Sequence, residues 1–469
     1  MAHMKKAHLI GICGAGMSAL AILLREAGWK ISGSDQGLYQ PILGYLKSNK
    51  IKFYRKYSSK NIPSDADLIV IGKHTKLSIE NSEVKRAFAL GIPVKSLPET
   101  LAMLGENKKK LVVAGSYGKS TSSALIAWCL MKAKKDPSYF IGAIPIGFKR
   151  SSHLGNGMEF IMEGDEYPSS NWDNRSKFLH LNPVSLLLTA AEHDHLNVFP
   201  TEKSYIEPYK KLVSNIRKDG IIIYAKEGKN LEQILKNAKC RTVSYSLDNK
   251  KSDWRGDNIK YGLRTSFDLI HKNKKVAVIK TKLLGKHNIE NIVGVSAFLL
   301  EQKLVGVKSL VSAISSFAGV KRRIELKTKN SPVPVYEGFG SSYAKAKSIF
   351  DTLALHFPNR KIIAVFEPHT FSWRNREALK WYKTIFNGVG FVILLPPPNH
   401  GKNTHDQLTQ NEIYNEVKKH TLVKKVKSEK EALVLIKEIT AKGDVIALFS
   451  SGSLLGLSIS VPRLVERLF

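Results

Sequence analysis

The stretch Leu111-Val-Val-Ala-Gly-Ser-Tyr-Gly-Lys119-Ser-Thr-Ser-Ser-Ala-Leu-Ile-Ala-Trp128 constrains the fold more than any other part of the chain. An apolar run, a glycine turn and then helical apolar periodicity read as a buried strand feeding a helix. Gly115, Gly118, Lys119, Ser120 and Thr121 then fall at a helix N-terminus. Backbone N–H groups and the helix dipole favour an anion there, a lysine adds a full positive charge, and a serine hydroxyl suits the Mg2+ of a nucleotide such as ATP. Val113 stands where the strict phosphate-loop spacing places its outer glycine, so a plain glycine turn with one solvated lysine is the competing reading. In a solvent-facing loop, replacing Lys119 with Ala is expected to abolish nucleotide turnover and leave the fold intact.

A chain of 469 residues exceeds what one core supports, and two to four domains follow. With 43% hydrophobic and 24% charged residues it is globular in composition. Cys13, Cys129 and Cys240 form no disulfide or metal spacing, which points to reduced thiols in a cytoplasmic protein. No secretory leader is expected, and no apolar run reaches the roughly 18 residues of a membrane span. Met1-Ala-His-Met4 reads as a cloning remnant with the natural start at Met4. The net charge of +33 is spread through every segment, in short runs such as Lys108-Lys-Lys110. Without a basic amphipathic helix or an aromatic-basic platform, this argues for acidic small-molecule substrates and against nucleic acid.

Residues 4–106 open with the strand Ala7-His-Leu-Ile-Gly-Ile, a turn with Gly11, Gly14 and Gly16, a helix, and a second strand closed by Asp35. This is Rossmann-like, with the acid about 20 residues past the turn. The glycine spacing departs from the strict dinucleotide fingerprint and suits a nucleotide-diphosphate site generally. The charged Glu106-Asn-Lys-Lys-Lys110 marks a hinge, and residues 107–320 form a central P-loop ATPase-like domain. Residues 321–469 again alternate strands and helices as a doubly wound α/β domain, so the chain is α/β throughout.

In the central domain Glu159-Phe-Ile-Met-Glu163-Gly-Asp165-Glu166 is a strand ending in carboxylates, and Pro183 to Ala191 is a strand running into Glu192-His-Asp-His195. Parallel strands gather their C-terminal ends on the phosphate-loop edge, which brings Lys119, Ser120, Glu163 and His195 together. His193 and His195 alone would equally suit zinc; the acidic strand end beside a phosphate loop favours magnesium, held by Ser120, Glu163 and His195. Asn288 and Asn291 open a helix, where such residues are ordinary caps.

Gly115-Ser-Tyr-Gly-Lys-Ser120, Glu163-Gly-Asp-Glu166, His193-Asp-His195, His287-Asn-Ile-Glu-Asn291 and Lys321-Arg-Arg323 follow one another across three α/β domains. Together they resemble the Mur ligases, the ATP-dependent amide-forming enzymes of peptidoglycan synthesis. Gly33-Ser-Asp35, Tyr39-Gln-Pro41, Ile71-Gly72 and above all Trp172-Asp-Asn-Arg175-Ser-Lys177-Phe178 resemble the murein-recycling branch, more than the alanine-adding one. Members of that branch join UDP-N-acetylmuramate to the tripeptide L-alanyl-γ-D-glutamyl-meso-diaminopimelate. The resemblance implies that Gly14, Gly16 and Asp35 serve the uridine-diphosphate turn and that Arg175 and Lys177 contact substrate. It further implies that Asn288 and Asn291 lie on the adenine side, and that Arg323 reaches a phosphate from the third domain.

One stretch departs from the family. Where its members have Asp-Asp-aromatic-Gly/Ala-His-His-Pro, this chain has Glu337-Gly338-Phe339-Gly340-Ser341-Ser342-Tyr343. The acid otherwise placed on ATP is missing at 338 and both histidines are Ser, which implies a weak or conditionally active ligase or a catalytically weak binding relative. Glu337 can take over the contact only through a local bulge or a shift in the turn, because neighbouring strand residues face opposite ways. On that expectation, restoring Asp at 338 improves ATP binding and replacing Glu337 with Ala weakens it.

Overall fold

Parallel strands rich in Val, Ile and Leu must be covered on both faces, and the chain builds three sheets of this kind. The computed structural model describes residues 4–37, 42–195, 198–398 and 406–469. Tyr39-Gln-Pro41 lies outside them.

The first sheet contains β1 (Lys6–Ile10), β2 (Lys30–Ser34), β3 (Lys52–Tyr54), β4 (Leu68–Ile71) and β5 (Val94–Lys95), in the order β3-β2-β1-β4-β5. All four pairings are parallel. The strand order reverses at β1, so the turn after β1 opens into the crevice where such sheets take ligands.

The second sheet contains β6 (Lys109–Ala114), β7 (Ser138–Phe140), β8 (Ser152–His153), β9 (Glu159–Gly164), β10 (Ser185–Leu188), β11 (Ile221–Ala225), β12 (Arg241–Ser246), β13 (Trp254–Lys260), β14 (Thr265–His271) and β15 (Lys274–Thr281). Its order is β15-β14-β13-β12-β11-β10-β6-β9-β7-β8. The phosphate-loop strand β6 runs parallel between β9 and β10, with Ala114 level with Gly164 and Leu188. That register puts the ends of β9 and β10 on the edge where the glycine turn lies, as the sequence pattern requires.

The third sheet contains β16 (Arg323–Leu326), β17 (Val335–Gly338), β18 (Ile362–Phe366), β19 (Phe391–Leu394), β20 (Val423–Lys425) and β21 (Val445–Phe449), in the order β16-β17-β21-β18-β19-β20. Only β16 runs antiparallel to its neighbour. Strand alternation divides its core in two: Ala364, Phe366, Phe449 and Trp373 pack on one face, and Val365, Ile446, Leu448 and Val461 on the other.

The chain divides into two compact units. One holds the residues up to Ile259 with Ser266–Thr281 and His287–Phe317, and the other holds Lys260–Thr265, Lys282–Lys286 and Ala318–Phe469. Within the first unit the first two sheets are tied directly: Ser152 Oγ donates to Ala19 O at 2.9 Å, Ser169 Oγ to Ser96 Oγ at 3.0 Å, and Arg150 pairs with Glu26 at 3.0 Å. Within the second, buried His356 accepts Gly285 N–H at Nε2 and donates from Nδ1 to Gly262 O, both at 2.8 Å. One side chain therefore fixes both outlying segments. The three cysteines are free. Among the described residues no helix is long and apolar enough to cross a membrane.

Candidate functional site

The phosphate loop between β6 and the helix Lys119–Lys132 needs its two glycines for conformation and for space. Gly115 and Gly118 sit at φ +135 and φ +78, the region side chains avoid. A Cβ on Gly115 would lie 2.1 Å from Thr189 Oγ1, and one on Gly118 would lie 2.5 Å from Asn291 Oδ1. No side chain caps the helix at Gly118, and the N-terminal turn of a helix is where backbone N–H groups and the dipole favour an anion.

Lys119 is not a solvent-facing lysine, and here the expectation is corrected. Its Nζ donates to Gly115 O at 2.5 Å and to Glu166 Oε2 and Oε1 at 2.9 and 3.2 Å. The two side chains are only 15% and 3% exposed. Glu166 Oε1 also lies 3.3 Å from His195 Nε2, and His195 Nδ1 lies 2.8 Å from Tyr167 Oη. His195 itself holds a left-handed backbone at φ +59. Glu166 is thus a central group of the site that the sequence pattern did not select.

Ser120 and Glu163 form a second pair. Ser120 Oγ donates to Glu163 Oε1 at 2.8 Å, and Glu163 Oε2 accepts Gly142 N–H at 2.7 Å. Of the three expected magnesium ligands, the structure joins Ser120 to Glu163 and joins His195 to Glu166 and Tyr167 instead. Among the described residues no three His, Cys, Asp or Glu side chains converge as they would to enclose an ion. A hydroxyl and a carboxylate at a phosphate loop nevertheless fit Mg2+, which takes few protein oxygens and completes its shell with phosphates and water. Thr121, Asn288 and Asn291 are all 7% exposed. Asn291 packs on Gly118, which puts it beside the phosphate loop.

In the first sheet Gly11, at φ +84, makes the left-handed turn after β1. Gly14 precedes the helix Ala15–Glu26 with an ordinary extended backbone, and Gly16 is required by packing, since a Cβ there would lie 2.8 Å from Leu97 Cδ1. Asp35 fastens this turn. One oxygen accepts Cys13 N–H at 2.8 Å; the other accepts Gly37 N–H at 2.9 Å and Tyr57 Oη–H at 3.2 Å. Burial and then the Asp35 charge push the Cys13 thiol up to about 11.

Arg175 is exposed and forks onto Asp173, with Nε and Nη2 at 3.0 and 2.8 Å from its two oxygens. Lys177 donates to Asp165 Oδ2 at 2.6 Å. Burial pushes the Asp165 carboxyl up, but the Lys177 ammonium outweighs it and holds the group below its usual range. Lys73, just past β4, is pushed down by burial and by Lys177. Two lysines from two sheets thus stand by one carboxylate, and Lys73 had no sequence signal of its own.

In the second unit Glu337 is 6% exposed and lies 3.2 Å from Arg322 Nε and 3.1 Å from Lys327 Nζ. Arg322 Nη2 also donates to Ser450 O and Gly452 O at 2.8 and 2.9 Å. The arginine that reaches the C-terminal edge of this sheet is therefore Arg322, while Arg323 begins β16 opposite Gly338. The register irregularity lies between Arg323 and Glu325, at Ile324 with φ +54, and not at Gly338. Gly338 faces the core: a Cβ there would lie 2.4 Å from Ile349 Cδ1. The expectation that an acid at 338 would meet a nucleotide is corrected accordingly.

Comparison with known proteins adds four results. Residues 6–109 match the Mur ligase family catalytic domain and residues 113–299 the Mur ligase middle domain. The UDP-N-acetylmuramate–L-alanine ligase of Dictyoglomus turgidum is 30% identical over 461 residues, covering 97% of this chain and 95% of that protein. The UDP-N-acetylmuramate–L-alanyl-gamma-D-glutamyl-meso-2,6-diaminoheptandioate ligase of Escherichia coli is 30% identical over 369 residues, 77% of this chain and 79% of that protein. The solved UDP-N-acetylmuramate-alanine ligase of Thermotoga maritima shares the fold with a TM-score of 0.74 at 22% identity, over 99% of both chains.

Proposed function

This chain belongs to the Mur ligase family of ATP-dependent amide ligases, and we propose that it joins the lactyl carboxylate of UDP-N-acetylmuramate to L-alanyl-γ-D-glutamyl-meso-diaminopimelate in the cytoplasm. The observation that carries this reading is the phosphate-loop edge, where Lys119 and Ser120 each meet a carboxylate at a helix N-terminus. The N-terminal turn of the helix and Lys119 bind the terminal phosphates of ATP, and Asn291 braces Gly118 from behind. Mg2+ held at Ser120 and Glu163 would neutralise phosphate charge during transfer.

Amide formation needs the carboxylate oxygen converted to a leaving group. The lactyl carboxylate attacks the γ-phosphorus, ADP leaves, and the peptide amine displaces phosphate from the resulting acyl phosphate after losing a proton. Lys119 moves from Glu166 to the transferring phosphoryl oxygens, where its charge lowers the barrier. Gly11 and the Asp35-fastened turn receive the uridine diphosphate. Lys73 and Lys177, two cations against the single Asp165, leave a surplus positive charge for substrate carboxylates. The tripeptide carries three carboxylates against two amines, which this surplus favours.

A second reading, addition of free L-alanine, is favoured by the near full-length likeness to the Dictyoglomus turgidum enzyme. One experiment separates the two: phosphate release with ATP, Mg2+ and UDP-N-acetylmuramate, with tripeptide and alanine run side by side. A higher kcat/KM with alanine overturns the tripeptide assignment, and release with neither amine overturns the ligase reading of this chain.

A further inference from the structure

Two buried tyrosines reach the phosphate loop from behind and have no part in the steps above. Tyr205 and Tyr209 lie one turn apart on the helix Glu202–Ser214, on the same face, and neither is exposed. Tyr205 Oη is 3.1 Å from Ser116 Oγ and 3.3 Å from Tyr209 Oη. Ser116 Oγ in turn donates to Glu192 O at 2.8 Å.

The direction of this chain follows from its end. A carbonyl only accepts, so the Ser116 hydroxyl spends its one proton on Glu192 O and can only accept from Tyr205, which accepts from Tyr209. Burial and then the nearby Glu166 charge push the Tyr205 phenol up to about 12, so it remains a donor throughout the working range. Ser116 is also held by its N–H to Ala190 O at 3.0 Å, and Tyr117 O accepts Thr189 Oγ1–H at 2.6 Å. Ser116 N–H, Ser116 Oγ and Tyr117 O are thus all tied to the segment 189–192, which leads directly into His195. Phe199 meets the Tyr205 ring edge-on at 5.3 Å and fixes its tilt.

We propose that Tyr205 is a positioning residue for nucleotide binding: through Ser116 it holds the phosphate loop in the shape that receives ATP phosphates, without touching ATP itself. The inference rests on reading Gly115 to Ser120 as the phosphate site.

Tyr205→Phe keeps the ring and removes the one donor. Titration of the full chain with ATP and Mg2+ in a calorimeter should give a Kd raised about 2- to 12-fold, the value of one neutral hydrogen bond. In turnover the same factor should appear in KM for ATP, with kcat changed less than twofold and KM for UDP-N-acetylmuramate unchanged. Ser116→Ala should raise Kd similarly, and the double variant should bind no worse than the weaker single one, because both remove the same link. A Tyr205→Phe protein with lowered thermal stability but wild-type Kd and KM for ATP would overturn the proposal, as would effects that multiply in the double variant. Lys119→Ala in the same titration tests the underlying reading: unchanged ATP binding and turnover there would remove the phosphate site itself, whereas loss there with unchanged Tyr205→Phe isolates the failure to Tyr205.

Discussion

Lys119→Ala should destabilise the first unit as well as stop turnover. Among the described residues Glu166, 2% exposed, pairs with Lys119 Nζ at 2.9 Å and with His195 Nε2 at 3.3 Å. Removing one partner of a buried pair costs about 3–5 kcal/mol, because the remaining carboxylate stays desolvated without compensation. Lys119 retains 15% exposure, which places the loss near the lower end, about 3 kcal/mol. For a unit of this size that corresponds to roughly 2 °C per kcal/mol, hence a thermal transition lowered by about 6 °C. Adding Glu166→Gln should restore all but about 1 kcal/mol, since no charge is then left buried. Turnover should not return: loss of a phosphate-stabilising group leaves kcat down by about 10²- to 10³-fold in both proteins. Calorimetric melting alongside phosphate release distinguishes these effects. A Lys119→Ala protein as stable as wild type would refute the buried pair, and recovered turnover in the double variant would refute the role of Lys119 at the phosphate.

Gly338→Asp should fail to improve ATP binding and should destabilise the second unit by about 1–3 kcal/mol or more, because its Cβ meets Ile349 Cδ1 at 2.4 Å in a filled core; denaturant melting reads the loss, and a tighter ATP Kd would contradict it. The tie between the first two sheets should weaken on both sides of neutrality. Hydrogen bonding to Glu26, and then to Asp136, raises His153 above its ordinary 6.5, so its contribution is complete below that value and is lost as pH rises through the raised one. Burial pushes the Glu26 carboxyl up, but His153, the Leu154 N–H and Arg150 outweigh it and hold it below 4.5, so its contribution is present above 4.5 and is lost as pH falls through the lowered value. Wild type should therefore exceed His153→Gln in stability by about 0.2–1 kcal/mol at pH 6, the range for half-exposed pairs, with the difference gone by about pH 9; a difference that grows with pH would reverse the assignment.

What the sequence made legible was whatever local periodicity and position encode. The strand, turn and helix around Lys119 were readable because apolar runs and glycines are local signals, and the meeting of β6, β9 and β10 followed from parallel topology alone. The choice among Glu163, Asp165 and Glu166 was harder. β9 ends at Gly164, so the alternation that assigns faces stops before Glu166, and no parity rule orients that side chain toward Lys119. That Arg322 reaches the sheet edge was hidden for a similar reason: left-handed backbone at Arg322 and Ile324 breaks the pattern from which neighbouring faces are counted. At Gly338 the deciding contact is Ile349, a packing partner that no strand pattern names.

A phosphate-loop motif identifies the lysine that will meet an anion, but a lysine that is mostly buried before the anion arrives must already be paired. Glu166, 47 residues away, meets that need, and on the proposed reading its carboxylate would stand in for the charge a phosphate brings. With Lys119 proposed as the phosphate lysine, binding ATP would exchange one anion there for another instead of neutralising a free cation. The exchange would lower the net gain from the lysine and release Glu166 to His195, which lies 3.3 Å away and is itself hydrogen-bonded to Tyr167. Glu166→Gln alone should consequently bind ATP more tightly than wild type, because the nucleotide no longer displaces an ion pair, and calorimetric Kd values measured on the two proteins check it. Weaker binding in that variant would mean that Glu166 acts with the nucleotide and not in its place.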